Sequence, residues 1–201
     1  MTGWMDRDMG GPMDTRAEKL REILGTPDRE PAQVPWEQGV DALNGLRFPA
    51  DYRWLLDTYG AILIRSDLIV WTPTEKHGFE RFLDYTTEAG EQVGVMYEDH
   101  RYDETPETPP YEMLPSPGGL LCWGADNRGN FLFWLTADPD ADHWPVVVWI
   151  QDLQQWDLFP GGTTAFLATL LTGDYHLGNE LLGVPDPLWE FAADWNTRRP
   201  Y

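Results

Sequence analysis

Two continuous apolar runs, NFLFWL at 130–135 and PVVVWI at 145–150, constrain this chain more than any other feature of its sequence. A strand with one face in water alternates apolar and polar residues, whereas a strand covered on both faces does not. Neither run alternates. We therefore predict two central strands of a sheet that is packed on both of its faces.

The stretch LCWGADNRGNFLFWL, residues 121–135, places Asp126, Asn127 and Gly129 between two apolar runs. These residue types tolerate tight turns, and their side-chain oxygens also chelate cations. No second cluster of ligands lies near them in the sequence. We predict a hairpin turn, in which Asn127 or Gly129 takes a positive φ if the turn requires one.

Helix and strand signals surround this hairpin. Helices are predicted in TRAEKLREILGTP, from a capping box of Thr15 and Glu18 to a stop at Gly25, and around 36–43. Further signals give the helix FPADYRWLLDTYG, the strands AILI and LIVWTP, a helix beginning at Phe79, and the helix TTAFLATLLTG with Thr163 as N-cap. Helices and strands do not alternate regularly, so we predict an α+β domain with a largely antiparallel central sheet and flanking helices.

The chain divides into three parts by pattern. Residues 1–35 form a leader, a helix and a linker, 36–173 carry the α+β domain, and 174–201 are a tail with a short helix around 189–195. Glycines at 90 and 94 weaken the second half of the helix that begins near Phe79.

The composition excludes some classes of protein. With 42% hydrophobic residues and eleven Trp the chain folds, and its net charge of −20 repels nucleic acid and anionic membranes while attracting cationic partners. An acidic surface also confers solubility and nothing more in many proteins. The chain has one cysteine, Cys122, in an apolar run, and neither a secretory signal nor a membrane span, so we expect a cytoplasmic protein.

Catalytic and metal motifs are missing. The chain has only two serines, no phosphate loop and no G-x-S-x-G or H-E-x-x-H motif, and its four histidines are scattered. Asp138, Asp140 and Asp142 are spaced like the start of a calcium loop, but His143 and Trp149 occupy positions that need Gly and Glu. We expect neither an enzyme nor a cofactor or metal.

A proline-rich acidic loop precedes the hairpin. It holds six carboxylates against Arg101 as the only full positive charge: Glu98, Asp99, Asp103, Glu104, Glu107 and Glu112. A loop of this length is either functional or disordered. We predict that these residues, together with Asp138, Asp140 and Asp142, contact a partner; the alternative is an acidic loop that is merely solvated.

Two parts of the chain taken together resemble one family. FPADYRWLLDTYGAILI resembles the LP-x-D-Y-x-x-x-L-x-x-Y-G helix and strand of the SUKH superfamily, the Smi/Knr-type proteins, and LLCWGADNRGNFLFWL, PVVVWI and TTAFLATLLTG resemble its later strands and last helix. Phe48 stands where the family usually has Leu, and Ala61 and Ile62 stand where a further Gly is common.

The resemblance implies a non-enzymatic α+β binding domain without a cofactor. Most bacterial members look like immunity proteins, which neutralise a cognate toxin, often a nuclease or deaminase, by direct binding. The partner implied here is a toxin domain with a basic surface. The alternative is a regulatory or scaffold interaction protein of the Smi/Knr type that has no toxin partner.

Overall fold

The structure is a computed structural model that describes residues 11–43, 45–73, 78–99, 108–183, 185 and 187–194. Its helices are α1 (Gly11–Leu24), α2 (Trp36–Ala42), α3 (Ala50–Tyr59), α4 (Glu80–Asp99), α5 (Thr163–Leu171) and α6 (Gly178–Leu181). Its strands are β1 (Ile62–Ile64), β2 (Leu68–Val70), β3 (Leu120–Ala125), β4 (Phe131–Leu135), β5 (Val146–Ile150), β6 (Gln155–Phe159) and β7 (Trp189–Phe191).

The seven strands of the described residues form one sheet in the order β6-β5-β4-β3-β2-β1-β7, and every neighbouring pair is antiparallel. Helices lie on both faces. The predicted α+β fold class, with a largely antiparallel central sheet, is therefore confirmed. None of the helices in the described ranges is long and apolar enough to cross a membrane.

Strands β4 and β5 are interior strands covered on both faces, as their unbroken apolar runs predict. On one face, here called the α5 face, Trp134 and Val148 pack in a core that includes residues of α1, α3 and α5. On the other, here called the α4 face, Phe133 and Val147 pack against α4. Burying both faces removes far more apolar surface from water than one helical layer would, and this burial is the main source of stability.

The β3–β4 hairpin turns where the sequence predicts it. Gly129 adopts φ +85°, a conformation that residues with a Cβ rarely take, and Asn127 does not adopt a positive φ. The nearest atoms that a Cβ at residue 129 would meet belong to the flexible end of the Gln151 side chain, so the turn depends on glycine for its φ and not for space.

Strand β3 contains an irregularity in its pairing with β4, and a side chain of α4 forms a hydrogen bond with the backbone there. The pairing register of β3 with β4 shifts between Cys122 and Gly124. The N–H of Cys122 instead donates to Oγ1 of Thr86 at 2.9 Å, and the same hydroxyl donates to the carbonyl of Phe82 at 2.7 Å. One threonine thus satisfies a buried backbone donor and joins α4 to the sheet.

Four elements differ from the predictions. Helix α1 begins at Gly11, before Thr15, and α4 continues through Gly90 and Gly94. Strand β6 was not predicted. The prediction of a short helix around 189–195 is wrong for residues 189–191, which form β7 and pair with β1. Residues 192–194 are helical, and Trp195 lies outside the described residues.

Replacing Thr86 tests whether its hydroxyl stabilises the irregular part of β3. Thr86→Val keeps the side-chain shape but leaves the Cys122 N–H buried without an acceptor, so we expect a loss of about 1–3 kcal/mol of unfolding free energy. Thr86→Ser retains the hydroxyl and is the matched control, with a smaller loss. Urea denaturation followed by circular dichroism measures both, and equal losses for the two variants would contradict the role of the hydroxyl.

Candidate partner-binding surface

The predicted contact residues are spread over three parts of the chain. Glu98 and Asp99 are the last two residues of α4, and Glu112 is an exposed residue of the segment before β3. Asp138, Asp140 and Asp142 are exposed in the β4–β5 connection. Asp103, Glu104 and Glu107 lie outside the described residues.

Both ends of the acidic loop are held at one side chain, Trp156 of β6. Its Nε1 donates to the hydroxyl of Tyr97 at 3.0 Å, in the last turn of α4. The ring of Tyr111 packs edge-on against Trp156, with centroids 5.3 Å apart. The chain therefore contacts the same tryptophan twice, at Tyr97 near the end of α4 and again at Tyr111.

Glu112 and the Asp138–Asp142 connection lie at the same end of the sheet. The N–H of Leu120, at the start of β3, donates to the carbonyl of Glu112 at 2.8 Å. Leu120 pairs with Leu135 at the end of β4, where this connection begins. The fold thus brings together two acidic groups that are about 30 residues apart in sequence.

The three aspartates of the β4–β5 connection also organise the backbone. Oδ1 of Asp138 accepts from the N–H of Asp140 at 2.8 Å, and Oδ1 of Asp140 accepts from the N–H of Asp142 at 3.1 Å. Oδ1 of Asp142 accepts from the N–H of Ala50 at 2.6 Å, at the first residue of α3. Asp142 therefore caps α3 from a distant part of the chain.

Asp51 caps the first turn of α5 in the same way as Asp142 caps α3. Its Oδ2 accepts from the N–H and the hydroxyl of Thr164, at 2.9 and 3.2 Å. The predicted N-cap, Thr163, is instead the first helical residue, and the N-cap position belongs to Gly162, which has no side chain. A Cβ there would lie 2.6 Å from Oδ2 of Asp51, so the glycine makes room for this carboxylate. Sequence reasoning missed the role because the two partners are over a hundred residues apart.

Burial of Asp51 raises the pKa of its carboxyl, and the hydrogen bonds from Thr164 oppose that shift only in part. Oδ1 is buried and has no hydrogen-bond partner in the described part of the chain. The charged form is therefore less stable in the folded protein than in water.

The carboxylate of Asp126 accepts hydrogen bonds from residues of its own hairpin turn. Oδ1 of Asp126 accepts from the N–H groups of Arg128 and Asn130, at 2.8 and 3.0 Å, and Oδ2 accepts from Nδ2 of Asn130 at 2.6 Å. Arg128 also lies 3.1 Å from the carboxylate of Asp67. These bonds give the carboxylate a structural role in the hairpin.

Within the described ranges, no group of three His, Cys, Asp or Glu side chains is placed to hold a metal ion. Cys122 is fully buried, and burial raises the pKa of its thiol, which disfavours the nucleophilic thiolate. Four exposed carboxylates instead form a group, here called the acidic rim, at the end of the sheet where β3 begins and β4 ends: Glu112, Asp138, Asp140 and Asp142.

Fold and surface together define an α+β domain with a two-sided antiparallel sheet and an acidic rim. A family model described as SMI1-KNR4 cell-wall, SUKH_6, matches residues 38–160. The chain therefore belongs to the SUKH superfamily, whose members are generally non-enzymatic immunity or regulatory proteins. No curated protein and no solved structure matched the chain.

The cap on α3 can be tested by removing the acceptor. Asp142→Ala leaves the Ala50 N–H without its partner, so we expect a loss of about 1 kcal/mol of unfolding free energy. Asp142→Asn keeps an acceptor oxygen and removes the charge, and it should stay close to wild type. Chemical denaturation measures both, and a loss confined to the Asn variant would contradict capping.

The raised pKa of Asp51 predicts a pH dependence. Since the folded state binds this proton more tightly than the unfolded state, the stabilisation from protonation is complete below the ordinary value of 3.8 and is lost as the pH rises through the raised folded pKa. Asp51→Asn removes the titration and keeps an acceptor oxygen. The stability of wild type relative to this variant should fall from about pH 4 upward and then level off. Urea midpoints between about pH 4 and pH 7 measure it, and a constant difference would contradict the shift.

Proposed function

We propose that this protein is an immunity protein that acts in the cytoplasm of its producing cell and neutralises a cognate toxin by direct, stoichiometric binding. The observation that carries the proposal is family membership over residues 38–160 in a chain of net charge −20. The proposed toxin is a nuclease or deaminase with a basic surface. No catalysis and no cofactor are part of this function.

Charge complementarity supports a toxin that acts on nucleic acid. Such an enzyme is cationic where it meets phosphate, so an acidic inhibitor can occupy the same cleft and gain association rate by electrostatic steering. Between Arg128 and Arg198 the sequence contains no Lys or Arg, and this stretch includes β4, β5, β6 and α5. The Asp and Glu side chains of this stretch are therefore its only fully charged side chains, and their charge is negative.

The proposed contact surface consists of the acidic loop and the β4–β5 connection. It includes Glu98 and Asp99 at the end of α4, together with Asp103, Glu104, Glu107 and Glu112 in the loop. In the connection it includes Asp138, Asp140 and Asp142. Asp142 has a second role as the cap on α3, so only its free oxygen is proposed for the partner.

The second candidate is a regulatory or scaffold interaction protein without a toxin partner. It is favoured by the family description, which names SMI1-KNR4 and the cell wall. Both candidates bind proteins and differ in the partner.

Co-expression separates the two candidates. The test partner is the C-terminal domain of a large protein encoded next to this gene, expressed from an inducible promoter. We expect this protein to restore growth and to co-purify with that domain in a one-to-one complex. If it neither rescues growth nor co-purifies, the immunity function is wrong and the regulatory candidate takes its place.

Neutralising the acidic loop tests the contact surface. Asp103→Asn, Glu104→Gln and Glu107→Gln together remove three charges, and we expect toxin affinity to fall by about tenfold or more at low salt, with a flatter dependence on salt. Isothermal titration calorimetry at about 20 mM and about 300 mM NaCl measures this.

The matched control removes three charges elsewhere. Glu18, Glu22 and Glu37 are exposed on α1 and α2, so the triple Gln variant changes the net charge equally at a different place. An equal loss of affinity in both triple variants would show that net charge alone matters. Unchanged affinity in the loop variant would exclude the loop from the interface.

A further inference from the structure

Strand β6 is an edge of the sheet, and no residue that the structure describes pairs with its outer side. It pairs with β5 on one side, and no backbone hydrogen bond joins its other side to any described residue. In a paired strand every second residue directs its N–H and C=O away from the partner, so the outer side presents a row of donors and acceptors. Such a row can pair with another strand.

The opposite edge, β7, is short and covered. It has three residues, and Nε1 of Trp189 donates to the carbonyl of Leu24 at 2.7 Å. The guanidinium of Arg29 lies 3.9 Å from the ring centre of Phe191 and pairs with Asp194 at 2.9 Å. The chain after α1 thus packs over one edge of the sheet.

Strand β6 has few of the devices that prevent edge pairing, and its one charged side chain, Asp157, accepts a hydrogen bond from the hydroxyl of Tyr175 at 2.8 Å. Its five residues, QWDLF, include no Lys and no Pro, and its register with β5 is regular throughout. Leu158 is 48% exposed, and its pairing with Val147 places it on the α4 face. A regular and partly apolar edge of this kind can pair with a further strand.

The surroundings of β6 specify the chemistry of what binds. Trp156 and Tyr111 provide an apolar, aromatic surface beside Leu158 on the α4 face. Exposed Asp152 precedes the strand, exposed Glu112 follows Tyr111, and no Lys or Arg occurs between Arg128 and Arg198. A further strand that pairs with β6 would therefore contact apolar side chains on the α4 face and lie near negatively charged side chains.

We propose that β6 receives an extended, cationic segment of the partner as an eighth strand of the sheet, with alternate apolar side chains against Leu158 and Trp156. This deepens the proposed function and rests on it for the identity of the partner, the toxin. Strand addition obtains affinity from main-chain hydrogen bonds and specificity from alternate side chains. Pairing of two copies of this chain through β6 is disfavoured, because each carries a charge of −20.

The first experiment uses a synthetic strand and does not need the toxin. The probe is a labelled, end-capped peptide of alternating Lys and Val, and its binding to the full chain is followed by fluorescence anisotropy. The same peptide methylated at every second backbone nitrogen keeps the charge and loses the donors of one edge. We expect the methylated peptide and a Glu/Val peptide each to bind at least about tenfold more weakly.

Leu158→Lys and Leu153→Lys form a matched pair. Leu153 is 49% exposed in the β5–β6 turn, outside the strand, so both variants change an equally exposed leucine and add one positive charge. A lysine on β6 places a charge where the apolar contact is proposed. We expect Leu158→Lys to weaken peptide and toxin binding by about tenfold or more and Leu153→Lys to change them by less than about threefold.

The outcomes separate the two proposals. If the wild type binds the Lys/Val peptide as expected but not the toxin domain, the immunity function is wrong and the strand site stands. If it binds the toxin and both lysine variants bind equally well, or if the methylated peptide binds like its parent, the strand site is wrong. A wild-type dimer in light scattering that Leu158→Lys dissociates would also overturn it, because a second copy would then occupy β6.

Discussion

Burial of the central strands on both faces is the constraint on which the rest of this structure depends. β4 and β5 have no polar face to turn toward water, so the chain must supply cover on both sides. Helices α3 and α5 pack on one face of the sheet, and α4 packs on the other. The chain therefore crosses the α4 face between Glu80 and Asp99. The acidic loop starts where α4 ends, so its place follows from the need to bury the α4 face.

Sequence reasoning recovered the elements whose own residues determine them. Strands β3, β4 and β5, helix α3 and the glycine of the hairpin follow from apolar pattern and backbone chemistry in a short window. Strand β6 has two apolar residues on the α4 face but only one, Phe159, on the α5 face, where Gln155 and Asp157 also lie. It forms because β5 offers a partner. The same holds for β7 beside β1, where a helical prediction failed because tertiary pairing outweighed local preference.

The acidic character of the candidate surface stays a prediction from the sequence, and the structure adds the roles of individual carboxylates. The net charge and the acidic loop are visible in sequence, but the roles of individual carboxylates are not. Asp142 and Asp51 hold the first turns of α3 and α5 across long sequence separations, and Asp126 holds its own hairpin. These carboxylates maintain the fold, which leaves a smaller set free for recognition.

The double attachment at Trp156 has a consequence for how such a protein can diversify. Tyr97 and Tyr111 fix both ends of the acidic loop to one side chain of the sheet, so the ends stay together whatever lies between them. Doubling the length of a flexible loop costs only about 0.6 kcal/mol of closure entropy. Between these two tyrosines, insertions, deletions and exchanged residues can therefore accumulate at little expense to the sheet, and a lineage of these proteins can follow a changing partner while keeping one fold.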